Sequence, residues 1–343
     1  MQLRPTSESD ATAISRFLHR ILAQPAPDED RAAAHMGWKY WCPRADWTGS
    51  RGFTVQHRGA IVAHGAAWPV RLRAPGHDVP AVHVIDWAAD SSYPGAGIWL
   101  MRQIVAKVPL AIATGGSEMT RRILPLIGFR PHGELAWFAR PVRPVAQALT
   151  TSDRNWKFPA RVARNAWWRW STPLRAPSGW SASPLDPRHV PDWLWPRPSD
   201  TTVVGARDGD FYRYVTNAPS TPHRLFGLKT RGKLVGYFCV AFGRHVARIA
   251  DLWLPSAAAD DWGAAFQTAA VVAARPTSVH EVTAWASTRL GRDALAHAGF
   301  RQRDSTLLSV RGDMSVLAGR TLHVQMLDSD ASFLSSGTSS YLT

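Results

Sequence analysis

The stretch 83–105 reads HVIDWAADSSYPGAGIWLMRQIV, and its pattern changes at the glycines. Residues 83–88 include Val84, Ile85 and Trp87, a composition typical of a strand. After the loop 93–97, apolar side chains recur at helical spacing. These side chains are Ile98, Leu100, Met101, Ile104 and Val105. The stretch therefore predicts a strand, a glycine-rich loop and a helix in direct succession.

The segments on either side extend this unit into a mixed α/β domain. Upstream, a short strand at 3–5 precedes a helix capped by Asp10, and a hairpin follows at 53–64. Downstream, a strand at 110–113 leads to a second helix, and a last strand covers 134–139. The predicted order of elements is β-α-β-β-β-α-β-α-β.

Four landmarks of this unit return later in the chain, in the same order and at offsets of 165 to 174 residues. The matched pairs are Trp38-Lys39-Tyr40 with Tyr212-Arg213-Tyr214, Arg58-Gly59 with Arg231-Gly232, Asp86-Trp87 with Asp251-Leu252-Trp253, and Gly128-Phe129 with Gly299-Phe300. Because both order and spacing are kept, we expect two copies of one α/β domain in tandem.

The repeat also predicts how the chain is divided. The first copy is expected at 1–145 and the second at 181–325, joined by a segment rich in tryptophan and proline at 146–180. Residues 326–343 are expected to form a tail. The many serines at its end predict that it frays from Ser332 onward.

The order of elements resembles that of the GNAT acyltransferase superfamily, and the duplication resembles its two-domain members. The resemblance covers about residues 1–140 and 185–312. It is carried by the Arg4-Pro5 start, the Arg58-Gly59 hairpin, the strand ending in Asp86-Trp87-Ala88, the loop Pro94-Gly95-Ala96-Gly97-Ile98 and the helix ending in Ile127-Gly128-Phe129. It implies transfer of an acyl group from acyl-CoA to an amine or a hydroxyl group.

In this superfamily the strand before the loop splays away from its neighbour and pairs with the pantetheine of acyl-CoA. The loop amides bind the pyrophosphate at the helix N-terminus, where backbone N–H groups favour an anion. The resemblance implies that pantetheine contacts Trp87, Ala88 and Ala89. It implies that the pyrophosphate contacts Gly95, Ala96, Gly97 and Ile98.

Both copies depart from the family's pattern in this loop. In copy one, Pro94 stands for an Arg or Gln and cannot donate an amide proton, and Trp99 stands for a small residue. In copy two, Asp260 and Asp261 would repel pyrophosphate, so we expect no CoA site there. The tyrosine that often precedes the family's Gly-Phe pair is missing from both copies.

Acyl transfer to an amine needs a base, an oxyanion donor and an acid for the thiolate. Asp86, on the central strand, is the first candidate for a base or a substrate-orienting group. The alternative is a structural buried Asp, which the matching Asp251 favours. Glu118, after Gly115-Gly116-Ser117, is the second candidate. Its alternative is an ordinary acidic residue in the first turn of a helix.

Composition limits the other classes of function. The 343 residues carry 40 Lys and Arg against 26 Asp and Glu, a net charge of +14. The basic residues are too scattered for a nucleic-acid specialist, and they fit an anionic cofactor at least as well. Two cysteines and dispersed histidines predict neither a disulfide scaffold nor a metal site. With no secretory signal and no membrane-spanning apolar run, the expected location is the cytoplasm.

Three segments place cations among aromatic side chains. At 38–40 and 212–214 this indicates either a wall for a sugar or peptide acceptor or core aromatics with a cation that reaches solvent. At 156–170, tryptophans alternate with Lys157 and three arginines. This segment predicts a strap whose tryptophans pack on both copies or, as the alternative, a contact with a membrane surface.

The sequence therefore favours an N- or O-acyltransferase that uses acetyl-CoA or another acyl-CoA in copy one and binds its acceptor between the copies. A sugar or cell-envelope precursor is the expected kind of acceptor, by analogy with the family. Two alternatives stay open. One is a non-catalytic protein that kept the fold and lost CoA, and the other is a transferase of the Fem type that uses aminoacyl-tRNA.

Overall fold

A computed structural model of the chain describes residues 2–22, 29–152, 154–333 and 341–343. Its strands follow here in chain order. They are β1 (Gln2–Pro5), β2 (Gly52–His57), β3 (Ala60–Ala74), β4 (His77–Ala89), β5 (Leu110–Thr114), β6 (Arg130–Pro141), β7 (Trp180–Pro184), β8 (Thr202–Gly205), β9 (His223–Thr230), β10 (Lys233–Phe242), β11 (Val246–Trp253), β12 (Glu281–Ala286), β13 (Arg301–Gly312) and β14 (Thr321–His323).

The described strands form one 14-stranded mixed sheet, so the predicted α/β class is confirmed. The order along the sheet is β1-β2-β3-β4-β5-β13-β6-β12-β11-β10-β9-β7, with β8 and β14 paired beside β3. One long strand of each half, β6 of the first and β13 of the second, lies among the strands of the other half. β13 pairs with β5, and β6 pairs with β12. The two halves are therefore joined by backbone hydrogen bonds at the centre of the sheet, and the predicted boundaries between them stay a prediction.

The two hairpins predicted from their Arg-Gly pairs are confirmed. Arg58-Gly59 joins β2 to β3 and Arg231-Gly232 joins β9 to β10, and all four residues have positive φ values, between 48° and 81°. Two successive positive φ values define the tight turn that matches the twist of the flanking strands. Pro75-Gly76 forms the tip of the long β3–β4 hairpin.

The helices pack on both faces of the sheet. In the described residues they are α1 (Ala11–Leu22), α2 (Glu29–Met36), α3 (Ala96–Val105), α4 (Glu118–Ile123), α5 (Pro144–Thr150), α6 (Phe158–Ser171), α7 (Gly209–Thr216), α8 (Ala259–Ala273) and α9 (Arg289–His297). Side chains of α3 form one core with β2–β5, and those of α8 and α9 form another with β9–β12. A third core on the opposite face contains residues of both halves, including Trp38, Trp68 and Tyr212.

The predicted fraying of the tail is wrong for its described residues. Ser332, Phe333 and Thr343 are all buried. Phe333 packs among aromatic rings of both halves, and the backbone amide of Thr343 donates to a carboxylate oxygen of Glu281 over 2.9 Å. Through these contacts, the described residues of the tail pack against the rest of the fold. The serines at 335–340 lie outside the described residues.

The tryptophan-rich segment 146–180 forms α5 and α6, and the prediction of a strap that packs on both copies is wrong for most of its tryptophans. Trp168 is buried and its Nε1 donates to the carbonyl oxygen of Gly299 over 3.0 Å. Trp156, Trp167 and Trp170 are exposed. Of the five indoles in the segment, Trp168 is buried and Trp180 packs partly buried against the core, while the other three are exposed.

Candidate active site

β4 and β5 separate at the edge where the resemblance places the cofactor. The two strands are parallel and pair only over Ala81–His83 and Leu110–Ile112. Beyond that point β4 continues to Ala89 without β5 at its side. We call the gap beyond His83 and Ile112 the first splay. Backbone N–H and C=O groups on such an edge need partners from outside the sheet.

The imidazole of His83 ties the base of the first splay together. Its Nε2 lies 2.8 Å from Oγ1 of Thr114 at the end of β5, and its Nδ1 lies 3.0 Å from the carbonyl oxygen of Asp328. Burial lowers the pKa of His83, so the ring is neutral near pH 7. A neutral ring with both nitrogens bonded fixes the two strands at the point where they part.

Asp86 lies at a bulge in β4, on the edge of the first splay. The pairing with β3 shifts register between His64 and Ala66, and Asp86 has a φ of 51°. A left-handed conformation costs a residue other than glycine about 1–2 kcal/mol, so the surrounding contacts have to hold it.

Those contacts come from the segment 38–40. A single oxygen of Asp86, Oδ2, accepts a hydrogen bond from the hydroxyl of Tyr40 over 2.6 Å and lies 2.5 Å from Nζ of Lys39. Lys39 is buried and pairs equally with Asp330, also at 2.5 Å. The hydroxyl of Tyr40 also lies 3.3 Å from Nε2 of His64. The pattern at 38–40 marks Lys39 by its aromatic neighbours, but its pairing with Asp86 and Asp330 depends on contacts between distant parts of the chain.

The electrostatics of this cluster favour an ionised Asp86. Burial acts to raise the pKa of the Asp86 carboxyl. The charge of Lys39 and the hydrogen bonds from Lys39 and Tyr40 outweigh it, so the pKa lies below its usual range. Burial lowers the pKa of His64 to about 4. Trp38 and Tyr40 are buried core aromatics, as the second alternative for segment 38–40 predicts, but the expectation that Lys39 reaches solvent is wrong because Lys39 is buried. The acceptor wall stays a prediction.

The N-terminus of α3 lies next to the end of β4. Gly95 precedes the helix with a φ of 86°, no side chain caps the first turn, and a Cβ on Gly95 would meet no atom within 4 Å. The amide of Ala96 donates to the carbonyl oxygen of Tyr93 over 3.2 Å. The next amides of the first turn, those of Gly97 and Ile98, have no partner within the helix and can bind an anion.

Gly97 differs from Gly95 in that its lack of a side chain is required for packing. A Cβ on Gly97 would lie 2.8 Å from that of Ala89, so glycine allows α3 to pack on β4. Nε1 of Trp87 donates to the carbonyl oxygen of Gly97 over 3.0 Å. The structure thus brings Trp87, Ala89 and Gly97 together, while Ala88 and Ala96 are buried beside them and Ile98 is partly buried.

Two of the residues that break the family's pattern are exposed, and so is the second candidate base. Pro94 is exposed, and Trp99 is 38% exposed. Glu118 has a side chain 72% exposed and pairs with Arg122 at 2.5 Å, four residues further along α4. None of the contacts that the structure gives for Glu118 involves Asp86. This environment matches an ordinary acidic residue at a helix start.

The second half contains a matching gap, the second splay, between β11 and β12 beyond Ile249 and Ala284. Here the chain itself fills the gap. The side-chain oxygen of Gln325 accepts from the amide of Leu252 over 2.8 Å, and its Nε2 donates to the carbonyl oxygen of Leu252 over 3.0 Å. On the other side, Oγ of Ser287 accepts from the amide of Val324 over 2.7 Å.

The second splay also has its own ion cluster. Arg207 is buried between Asp251 and Asp328, at 3.0 and 2.8 Å, and the hydroxyl of Tyr212 donates to Asp251. Tyr212 therefore corresponds to Tyr40 and not to Trp38. The predicted alignment of 38–40 with 212–214 is wrong by two residues, because the π-helical turn Gly37–Trp41 and helix α7 present their tyrosines at different positions.

A cavity of about 650 Å³ lies between the two halves. Its wall includes Trp38, Arg44 and Arg71 from the first half and Phe211 and Tyr214 from the second half. Asp86 does not line it. Binding of an acceptor between the copies therefore stays a prediction.

In the described part of the chain, no group of three or more His, Cys, Asp or Glu side chains is arranged to hold a metal ion. Among the same residues, no helix is both long and apolar enough to span a membrane.

The fold is that of the GCN5-related N-acetyltransferases, so the predicted GNAT fold is confirmed. A GCN5-related N-acetyltransferase from Anabaena variabilis matches with a TM-score of 0.57 at 12% identity, over 90% of this chain and 72% of that chain. Saccharomyces cerevisiae N-myristoyltransferase, solved with bound myristoyl-CoA, matches with a TM-score of 0.58 at 12% identity, over 90% of this chain and 82% of that chain. No family model matches the sequence. No curated protein matches it either.

Proposed function

We propose that this protein is an acyltransferase that binds acyl-CoA in the first splay and transfers the acyl group to an amine or hydroxyl acceptor. The observation that carries the proposal is the open edge of β4 from Ile85 to Ala89, which leads directly to the uncapped N-terminus of α3. An extended chain of amides with a pyrophosphate at one end matches these two features in the same order. The N-myristoyltransferase of the same fold was solved with an acyl-CoA bound.

In this proposal the residues divide into two groups. Backbone groups of Trp87, Ala88 and Ala89 face the pantetheine, and the first amides of α3, from Gly95 to Ile98, face the pyrophosphate. The acceptor nitrogen or oxygen attacks the thioester carbon and gives its proton to solvent. The carbon–sulfur bond breaks, and CoA leaves as the thiolate, which takes up a proton from solvent. The two halves act as tandem copies at 1–145 and 181–325, and only the first binds CoA.

We assign Asp86 a positioning role within this site. A general base works best with a pKa near the working pH, whereas Lys39 and Tyr40 keep the pKa of Asp86 low. Lys39 and Tyr40 also stabilise the left-handed backbone conformation of Asp86. They therefore stabilise the bulge in β4 at the edge of the first splay.

Binding of acetyl-CoA and of longer acyl-CoAs, measured by calorimetry, tests the proposal. The sharpest pair of variants is Gly95→Asp and Gly95→Asn. Aspartate and asparagine tolerate a positive φ better than most residues, and a Cβ at Gly95 meets no atom, so both variants carry the same strain. Only Gly95→Asp places a carboxylate at the helix N-terminus, where it competes with phosphate.

We expect Gly95→Asp to bind acyl-CoA at least tenfold more weakly than Gly95→Asn. A carboxylate roughly 8 Å from a phosphate charge costs roughly 2 kcal/mol at an effective dielectric constant of about 20. Thermal unfolding of both variants provides the folding control. Failure of the unaltered protein to bind any acyl-CoA at millimolar concentration, or equal affinities of the two variants, would contradict the proposal.

A further inference from the structure

Helix α6 presents its apolar side to solvent. Its exposed positions include Ala160, Ala163, Ala166, Trp167 and Trp170. Its buried positions are Trp168 and the polar Asn165. A surface helix of a globular protein normally has the reverse arrangement, with its apolar stripe toward the core. Among the described residues, the apolar side of α6 therefore has no partner in the core.

Three indoles dominate this side of the molecule. Trp156 is 86% exposed, Trp167 63% and Trp170 71%, and the rings of Trp167 and Trp170 lie 4.9 Å apart. We call these three residues and the exposed alanines of α6 the tryptophan surface. The neighbouring helix α5 adds the exposed Val145 and Leu149. Large apolar side chains exposed in this number on one short segment indicate an interaction site.

The charge around the tryptophan surface has one sign. From 154 to 185 the sequence has six Lys and Arg and no Asp or Glu. Arg301 lies over the ring of Trp168 at 4.5 Å, on the strand beneath α6. Burial lowers the pKa of Arg164, and the nearby charges of Arg303, Arg161 and Arg301 lower it further, so cations crowd here. Such a surface attracts an anionic partner.

The inner side of α6 holds the helix firmly in place. Trp168 is hydrogen-bonded to Gly299, and Nδ2 of Asn165 donates to the side-chain oxygen of Gln147 over 3.1 Å. Trp167 and Trp170 take no part in these contacts. Their replacement removes the exposed rings and leaves the anchoring side of α6 intact.

We propose that the tryptophan surface binds an anionic lipid bilayer, with α6 lying in the interface plane. Indoles favour the boundary between headgroups and acyl chains, and flanking Lys and Arg side chains pair with anionic headgroups. A nucleic acid fits less well because the exposed centre of the surface is apolar. Phosphate contacts would require cations that project from that centre.

The test compares vesicles of phosphatidylcholine alone with vesicles that contain 30% phosphatidylglycerol. Co-sedimentation of the full chain should occur with the anionic vesicles, weaken with rising salt, and fall at least tenfold in the double variant Trp167→Ala, Trp170→Ala. Trp193→Ala is the matched control, because Trp193 is 47% exposed and lies outside the tryptophan surface. It should bind like the unaltered protein. Brominated lipids should quench tryptophan fluorescence in the unaltered protein and less in the double variant.

Four results would overturn the proposal. The first is no binding to anionic vesicles at low salt, and the second is equal binding by the double variant and the unaltered protein. The third is a dimer in light scattering that the double variant loses while vesicle binding is unchanged, because a second copy of the chain would then cover the tryptophan surface. Equally Trp-dependent binding to single-stranded DNA would assign the surface to nucleic acid instead.

Discussion

The first and second splays are built alike but differ in what fills them. Each is a gap between two parallel strands that separate after a short pairing, and each has an Asp on its edge bonded to a Tyr and a buried cation. In the second splay, Gln325 bonds both backbone groups of Leu252. No side chain of the described residues bonds the backbone of Trp87, Ala88 or Ala89 in this way. The fold therefore supplies two potential amide-binding edges, and the chain uses one of them itself.

The side chain of Gln325 ends in a carboxamide, which resembles the amide group of a ligand that could bind to the same strand edge. The side chain of Gln325 carries one donor and one acceptor in the geometry of a peptide group. Because Gln325 fills the second splay, the backbone groups of Leu252 need no bound ligand as a hydrogen-bond partner. Trp262, buried at the start of α8, and the acidic pair before it reinforce the difference from the open start of α3.

The two ion clusters provide the largest expected difference between the halves. Arg207→Met leaves Asp251 and Asp328 unpaired in the interior and should lower the free energy of unfolding by about 3–5 kcal/mol. Lys39→Met should cost less, about 2 kcal/mol, because the side chains of Asp86 and Asp330 keep 17% and 13% of their exposure and can be hydrated. Urea unfolding monitored by circular dichroism gives both values. A larger loss of unfolding free energy in Lys39→Met than in Arg207→Met would show that the Lys39 cluster stabilises the fold more than the Arg207 cluster.

His64 makes the first splay sensitive to acid, whereas the equivalent position in the second half is Tyr237. The two residues are opposite Ala88 and Trp253, each two positions after the Asp. The folded state holds the pKa of His64 at about 4, against 6.5 when unfolded. The unfolded chain thus binds the proton first, and stability falls as pH drops from 6.5 to 4, by roughly 3 kcal/mol in total.

His64→Gln should remove that part of the acid sensitivity. The measurement is the free energy of unfolding of both proteins between pH 7.5 and 4. As the pH falls, the unfolding free energy of the variant should rise by roughly 3 kcal/mol relative to that of the unaltered protein. Other buried histidines remain in both proteins and cancel in the difference. Parallel pH profiles would show that His64 is protonated in the folded state and that its burial has been misjudged.

Gln325→Leu tests the filled splay with a side chain of similar size. It removes the bonds to Leu252 and Asp251 and should lower stability by about 2 kcal/mol, because buried backbone groups lose their partners. Affinity for acyl-CoA should be unchanged, since the hydrogen bonds of Gln325 go to Leu252, Asp251 and Asp328 and not to β4. An affinity that falls in parallel with stability would place the ligand in the second splay.

Local sequence patterns predict part of the fold and of the candidate site. The rest depends on contacts between residues far apart in the chain. The Arg-Gly hairpins, the strand before Gly95 and the helix after it follow from short stretches of sequence. The exchange of β6 and β13 does not, because a strand's pattern does not specify its neighbour. Gln325 could not be assigned either, since it is 73 residues from Leu252. For 156–170 the sequence favours a strap with packed tryptophans, because tryptophan usually prefers burial, and the exposure of Trp156, Trp167 and Trp170 fits only the alternative prediction of a surface contact.

Amide hydrogen exchange with and without acyl-CoA, followed by mass spectrometry, tests the central claim most directly. We predict slower exchange on binding at residues 85–98, where the open strand edge and the start of α3 lie. We predict no change at 250–263, where Gln325 already bonds the strand. Protection at 250–263, or in both segments equally, would contradict the claim that only the first splay binds the acyl donor.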